Sequence, residues 1–212
     1  LKYLVKNADP RIDGIYVPGA SGHQAKEQGD FATRDISADD LSSINIGETA
    51  PVYLMSLAEK DFLVAEAEVR YNAGANAQAA YESGIENSFA MNGVAGASAL
   101  YGAGGPYEWQ ATGTVETDIE QIMMQKWVAL ANFQNLEAFF EINRTHIPPF
   151  STAAKGTPGD TATLTVSYAS VLPAGNTPKR LFIPDVEIQR NSSVGGQTEG
   201  SSLATKVWWD QK

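Results

Sequence analysis

Two neighbouring segments with helical periodicity constrain the fold of this chain more than any other feature. Residues 56–73 place apolar side chains three and four positions apart, which produces one apolar helix face. Ser56 and Glu59 form a capping-box pattern at the start of this segment. Residues 76–91 continue with a second helical pattern that begins at Asn76, a favourable N-cap. Because only a short turn joins them, the two helices must pack antiparallel, so the sequence predicts a helical hairpin.

The remaining sequence is predicted to form a single domain, residues 1–212, around this hairpin. Its predicted parts are an irregular loop segment (1–50), a helical part (51–145) and a coil-rich tail packed on the helices (146–212). The helical part adds a helix that begins near Val115 or Thr117 and a shorter one at 136–143. In the tail, alternating apolar and polar residues at 163–169 predict a short strand. The fold class is therefore mostly α, with tetratricopeptide-like hairpins and long irregular loops.

Charge and composition exclude several functional classes. Fifteen basic and twenty-five acidic residues give a net charge of −10, which argues against nucleic acid or an anionic membrane surface as a partner. The chain has no cysteine, so disulfides and cysteine-based metal sites are excluded. Its two histidines have no metal-ligand spacing, and neither GxGxxG nor GxxxxGK[ST] occurs. The sequence therefore predicts no cofactor and no metal-site motif. Asp39 and Asp40 offer oxygen ligands for a divalent cation but do not form a calcium-loop pattern, so the sequence leaves such a cation open.

Aromatic residues provide the remaining functional signal. Tyr101, Tyr107 and Trp109 lie close together in a glycine-rich stretch, and Tyr16 and His23 form a weaker set in the first segment. Flat rings on loops are suited to stacking against the C–H faces of sugars, while polar side chains bind the hydroxyls. The alternative is that these rings cover the ends of the flanking helices.

Carboxylate pairs give no comparable signal for catalysis. Glu137 and Glu141 lie one helical turn apart, which a solvated helix face explains without a catalytic role. Glycoside hydrolysis needs two carboxylates at defined separations across a cleft, and no spacing in this sequence indicates such a pair. The chain is therefore predicted not to be an enzyme.

Several motifs resemble, in the same order, the C-terminal part of the SusD/RagB family of outer-membrane lipoproteins. The similar stretches are DPRID (9–13), LAEKDFLVAEA (57–67), AYESGIENSFAMNGV (80–94), IEQIMMQKWVALANFQNLEAFFEINRTHIP (119–148), KRLFIPDVEIQRN (179–191) and TKVWWD (205–210). The stretch at 119–148 is the most specific. The N-terminal family pattern, with its lipidated cysteine and first helical repeats, has no counterpart here, so the chain is expected to be a C-terminal portion.

The resemblance implies a function. Members of this family are cell-surface lipoproteins that bind glycans, or peptides in some branches, and pass them to a SusC-like TonB-dependent transporter. It implies an outer-membrane location at the outer surface, through a lipid anchor that this chain lacks. The expected function is non-catalytic glycan binding and delivery, with peptide binding or a pure protein–protein scaffold as the alternatives. Tyr101, Tyr107 and Trp109, with Tyr16 and His23, are the candidate ligand-binding residues from the aromatic pattern.

Overall fold

A computed structural model describes residues 1–30, 35–152, 162–172, 176–194 and 203–210. The predicted fold class is confirmed, because these residues form mainly α-helices with long connections. The helices are α1 (Lys2–Lys6), α2 (Arg11–Ile15), α3 (Leu57–Tyr71), α4 (Ala77–Met91), α5 (Ala97–Tyr101), α6 (Val115–Leu130), α7 (Asn135–Thr145) and α8 (Asp185–Arg190). Short strands β1 (Tyr16–Val17) and β2 (Ser43–Ile44) pair antiparallel, and Ala38–Asp40 and Ser192–Val194 form 3-10 turns.

The chain divides into two compact units. The first contains Leu1–Lys26 and Ala32–Pro148, and the second contains Glu27–Phe31 and Pro149–Lys212. Helices α1 to α7 belong to the first unit and α8 belongs to the second. The single domain with a tail packed on the helices stays a prediction.

The predicted hairpin is formed by α3 and α4. The Ser56 hydroxyl accepts a hydrogen bond from the Glu59 backbone N–H at 3.1 Å, which caps α3 as the sequence predicts. The Glu59 carboxylate, expected to turn back to Ser56, instead accepts a hydrogen bond from Gln134. Helix α3 ends at Tyr71, and Gly74 makes the turn into α4 with a positive φ of 75°. The hairpin is thus set locally by its caps and turn.

Close packing joins the hairpin to α6. Helix α3 contacts both α4 and α6. The shared core consists of buried apolar side chains, the most central being Phe62, Ala65, Ile85, Phe89, Ile122 and Met123. Gly84 of α4 faces the Phe62 ring so closely that an added Cβ would lie 2.7 Å from a ring carbon. The absence of a side chain at Gly84 therefore allows the two helices of the hairpin to approach.

Charged side chains attach α7 to this core. The Arg144 guanidinium donates to both Glu66 carboxylate oxygens, at 2.8 and 2.7 Å, and also to Glu141. Lys126, which is 2% exposed, lies 3.1 Å from Glu141. Glu141, expected on a solvated helix face, is therefore part of an ion-pair network. Burial alone raises the pKa of Glu66, but hydrogen bonds and charges from Arg144 and Arg70 outweigh burial and hold it below its usual range.

Three local expectations differ from the structure. The irregular segment 1–50 contains α1, α2 and the β1–β2 pair, and the glycine-rich stretch after α4 contains α5. The predicted strand at 163–169 is reduced to an isolated bridge between Phe150 and Leu164. Further along, the Tyr168 N–H donates to the Gln28 carbonyl instead of to a neighbouring strand. Alternation alone does not make a strand without a partner edge.

Replacing Gly84 with alanine tests the packing of the hairpin. Gly84→Ala improves helix propensity, but the new methyl group overlaps the Phe62 ring, so we expect the free energy of unfolding to fall by about 2 kcal/mol. Urea unfolding of the purified chain measures this change. Ala90→Gly, at an exposed position of the same helix, calibrates the propensity effect alone. A Gly84→Ala variant that is more stable than the parent would contradict the close approach.

Replacing Glu66 with glutamine tests the α7 attachment. We expect Glu66→Gln to cost about 2 kcal/mol at neutral pH, because Arg144 and Arg70 lose a buried carboxylate partner. The Glu66 pKa is depressed in the folded state. Its stabilisation is therefore present above the ordinary carboxyl pKa of 4.5 and disappears as the pH falls through the folded value.

Urea titrations at several pH values measure this dependence. The stability difference between parent and Glu66→Gln should shrink on acidification. Glu137→Gln on α7 is the control, and we expect a change within about 0.5 kcal/mol because Glu137 is exposed. A difference that does not change with pH would show that the ionised carboxylate is not what stabilises this contact.

Candidate functional site

A buried ion pair between Asp9 and Arg11 lies in the interior of the first unit. Both side chains are 0% exposed. Arg11 Nη2 donates to Asp9 Oδ2 at 2.6 Å, and Nε lies 3.1 Å from each carboxylate oxygen. Nη1 donates to Ser88 on α4 at 3.1 Å, and Nη2 donates to Gln125 on α6 at 2.8 Å. The guanidinium thus connects the start of the chain to two core helices.

Aromatic rings surround this ion pair. The Arg11 guanidinium carbon lies 4.9 Å from the Phe89 ring centroid and 5.7 Å from that of Tyr107. The Tyr107 hydroxyl donates to Asp9 Oδ2 at 2.8 Å. The Tyr107 ring stacks on Tyr3, with centroids 5.9 Å apart and planes inclined by 10°. The ion pair therefore also orients two stacked tyrosines.

A third tyrosine completes this aromatic group. The Tyr81 hydroxyl on α4 donates to the Tyr107 carbonyl at 3.0 Å. Burial raises the pKa of Tyr3 to about 12, against the opposing charge of Arg11, and it also raises the pKa of Tyr81 and of Tyr107. All three hydroxyls consequently remain protonated at neutral pH.

The loop that follows Tyr107 is tied to α6 through polar groups. The Gln110 backbone N–H donates to Gln121 Oε1 at 2.9 Å, and Gln121 Nε2 donates back to the Gln110 carbonyl at 2.9 Å. Near the start of α6, Asp118 accepts hydrogen bonds from the backbone and the hydroxyl of Thr112. These contacts hold the loop along the N-terminal half of α6.

A cavity of about 390 Å³ lies between this loop, α6 and the tyrosines. Its lining residues are Tyr3, Tyr81, Pro106, Tyr107, Glu108, Gln110, Thr112, Thr117, Glu120, Gln121, Met124 and Gln125. The volume falls in the range of small-molecule sites, and the lining combines an aromatic floor with amide, hydroxyl and carboxylate groups. Such a surface can stack against a flat apolar face and hydrogen-bond to groups at its edge.

The three predicted loop aromatics lie in different surroundings in the structure. Tyr107 lines the cavity, but it is only 3% exposed and its hydroxyl is used by Asp9. Trp109 packs against Tyr81, with ring centroids 5.2 Å apart, and does not belong to the described lining. The Tyr101 hydroxyl donates to Glu86 at 2.7 Å, a bond that raises the pKa of Tyr101. Their role in ligand binding stays a prediction.

The weaker pair, Tyr16 and His23, lies elsewhere in the first unit. Tyr16 packs beside the cluster of Leu4, Ile15 and Val128, and burial raises its pKa. His23 Nε2 lies 2.9 Å from Asp13 Oδ1, and Nδ1 lies 3.3 Å from the Ser42 hydroxyl. These contacts hold the loop around His23 in place, and neither residue lines the cavity described above.

Sequence reasoning missed most of the cavity wall. Tyr3 belongs to a segment predicted to be irregular, and Tyr81 is one of several apolar residues along α4. Gln110 and Gln121 are ordinary polar residues until the fold joins them. The spacing of Thr117, Gln121 and Met124, which places them on the same side of a helix, is the sequence signal that could have indicated this wall.

Neither a metal cluster nor a membrane span is found among the described residues. They contain no group of three or more histidine, aspartate or glutamate side chains arranged to hold a metal ion. Within the same residues, no helix combines the length and the apolar character needed to span a membrane.

Comparison with models of known protein families assigns the chain to a family. A SusD-like family model, described as "Starch-binding associating with outer membrane", matches residues 1–166. The chain belongs to the SusD-like family. The resemblance inferred from the sequence motifs is thereby confirmed. A search of curated proteins finds no match.

Solved structures of SusD homologues share this fold. A homologue from Bacteroides thetaiotaomicron is 26% identical with a TM-score of 0.74, over 100% of this chain and 51% of that chain. One from Bacteroides uniformis is 24% identical with a TM-score of 0.73, over 100% of this chain and 48% of that chain. A chitin-binding homologue from Flavobacterium johnsoniae is 24% identical with a TM-score of 0.66, over 98% of this chain and 47% of that chain. The chain thus spans about half the length of these structures.

Removing one hydroxyl tests whether Tyr107 is anchored as described. Tyr107→Phe keeps the stacked ring but removes a donor to the buried Asp9 carboxylate, so we expect a loss of about 2 kcal/mol in the free energy of unfolding. Tyr101→Phe is the matched control, since it removes an exposed bond to Glu86 and should cost less than about 0.5 kcal/mol. Urea denaturation measures both. Equal losses would contradict the anchoring role.

Proposed function

We propose that this chain is the ligand-binding part of a non-catalytic cell-surface protein. In this proposal it captures a glycan and delivers it to a SusC-like TonB-dependent outer-membrane transporter. The observation that carries the proposal is the cavity between the tyrosine floor and α6, with polar groups at its edge. Membership of the SusD-like family supports it. The chitin-binding homologue is a relative whose ligand is a polysaccharide.

The proposed binding mode follows from the chemistry of the lining. A pyranose ring has a C–H face that stacks on tyrosine, and Tyr3 supplies a neutral, partly exposed ring at the cavity floor. Tyr81 is only 2% exposed and supports this floor from behind. Hydroxyls at the edge of the sugar then meet Thr117 and Glu120 on α6. Trp109, which packs against Tyr81, is proposed as a further stacking surface beside the cavity.

The cavity is held in shape before any ligand arrives. Paired hydrogen bonds between Gln110 and Gln121 hold one wall, and the buried hydroxyl–carboxylate contact of Tyr107 with Asp9 holds the floor. A preformed site loses little conformational entropy on binding. No chemical step is assigned, because a carrier that passes on its ligand needs reversible binding and no bond breaking.

Location and partner are part of the same proposal. The protein is proposed to act at the outer surface of the outer membrane, attached through an N-terminal lipid anchor as implied by its family. Its proposed protein partner is a SusC-like transporter. Peptide binding, or a scaffold role between proteins, is the alternative within the same family.

A blocking substitution tests the site without disturbing the core. Thr117 is exposed on α6 and lines the cavity, so Thr117→Trp places an indole inside it. Glu116→Trp, at the preceding exposed position outside the lining, is the matched control. We expect affinity to fall at least roughly ten-fold for Thr117→Trp, because the sugar and the indole compete for one space, and to stay unchanged for the control.

Affinity electrophoresis and calorimetry supply the measurement, with starch, chitin oligosaccharides, other polysaccharides and a peptide library as ligands. Trp109→Ala should weaken binding about five-fold, equivalent to losing about 1 kcal/mol of ring stacking. Peptide binding without glycan binding would favour the alternative. Glycan binding that survives Thr117→Trp would place the site outside this cavity, and no binding by any ligand would contradict the proposed function.

A further inference from the structure

Charge is distributed asymmetrically around the cavity. Glu108 and Glu120 line it, and none of its described lining residues carries a positive charge. Glu120 lies on an exposed face of α6, and the described residues provide it with no hydrogen-bond partner or cation. Glu108 Oε2 accepts one hydrogen bond from the Gly104 backbone N–H at 2.8 Å. Because a carboxylate can accept several hydrogen bonds, a ligand in the cavity meets spare acceptor capacity at both carboxylates, and more of it at Glu120.

The nearest guanidinium does not offset these charges. Arg11 lies behind the tyrosine floor, is 0% exposed and donates to Asp9, Ser88 and Gln125. Its charge is balanced by Asp9, and its donors face the core. An anionic ligand would therefore find no free donor cation at the floor, and it would lie beside carboxylates of its own sign.

We propose that this cavity selects glycans by charge: it takes uncharged or amine-bearing sugars and excludes those with uronate or sulfate groups. This inference rests on the proposed function. Sugar hydroxyls, acetamido N–H groups and ammonium groups all donate to a carboxylate, and such charge-assisted bonds are stronger than neutral ones. A sugar carboxylate or sulfate has no proton to donate at neutral pH and is repelled. Carboxylates at the rim thus act as a filter, while the partly exposed ring of Tyr3 supplies stacking that does not depend on the charge of the sugar.

Matched polymers isolate charge from backbone shape. A neutral ether of each polysaccharide is compared with the carboxymethyl ether of the same polysaccharide: hydroxyethyl starch with carboxymethyl starch, glycol chitin with carboxymethyl chitin, and hydroxyethyl cellulose with carboxymethyl cellulose. Chitosan oligosaccharides represent amine-bearing sugars, and polygalacturonate and alginate represent natural anionic glycans. Retardation in affinity gels and calorimetric affinities are measured at low and at high salt.

We expect each neutral polymer that binds to do so at least roughly ten-fold more tightly than its carboxymethylated counterpart at low salt. The double variant Glu108→Gln/Glu120→Gln should reduce the ratio of neutral to anionic affinity at least roughly five-fold. Added salt should reduce the same ratio in the parent, because screening weakens the repulsion. The control Glu48→Gln/Glu137→Gln also removes two negative charges, but from exposed positions outside the cavity. It should leave the ratio unchanged.

Three results would overturn the inference. If a carboxymethylated polymer binds as tightly as its neutral counterpart, or if polygalacturonate or alginate binds as tightly as the neutral polymers, the charge filter is wrong while the proposed glycan binding stands. If the control variant shifts the ratio as much as the cavity variant, the overall charge of −10 is responsible and the cavity is not. If no polymer binds, the proposed function fails, and this inference fails with it.

Discussion

The buried pair of Asp9 and Arg11 is the interaction on which the rest of the site depends. Removing two charges from water is costly, and a buried ion pair is tolerated only when its remaining donors and acceptors are satisfied. Here the guanidinium donates to Asp9, Ser88 and Gln125, and Asp9 also accepts from Tyr107. The position of this ion pair therefore requires α4, α6 and the loop at Tyr107 to converge on one point.

That convergence creates the cavity. Because Tyr107 is held by Asp9 and Tyr81 is held by the Tyr107 carbonyl, two rings of the floor keep fixed positions. Helix α6 then serves two purposes, since Ile122 and Met123 are buried in the core while Thr117 and Glu120 face the cavity. Stability and ligand binding are combined in one helix, through opposite faces.

The parts of the fold that depend on residues close together in the sequence could be predicted. Ser56 caps α3 as expected, and the observed α4, Ala77–Met91, follows the expected segment closely. The short α5, Ala97–Tyr101, was missed because two of its flanking residues are glycines, which normally indicate loops. Capping and periodicity are local signals, so they survive without knowledge of tertiary contacts.

The candidate site was harder to predict, because its parts meet only in three dimensions. Tyr107 was chosen as a loop aromatic, but its partner Asp9 lies 98 positions away and draws the hydroxyl inward. His23 was likewise chosen from a glycine-rich loop, and its contacts with Asp13 and Ser42 come from the fold. The family motifs at 9–13 and 80–94 contain Asp9 and Tyr81, but they do not indicate the cavity that Tyr81 helps to line.

Backbone amide chemical shifts during a glycan titration test the central claim most directly. The isotope-labelled chain is titrated with the neutral oligosaccharide that binds best among starch and chitin oligosaccharides. The account predicts that the largest shifts fall at the cavity, in particular at Gln110, Thr117 and Gln121. Saturable shifts centred on Tyr16 and His23 or on residues 203–210, with none at the cavity, would contradict it.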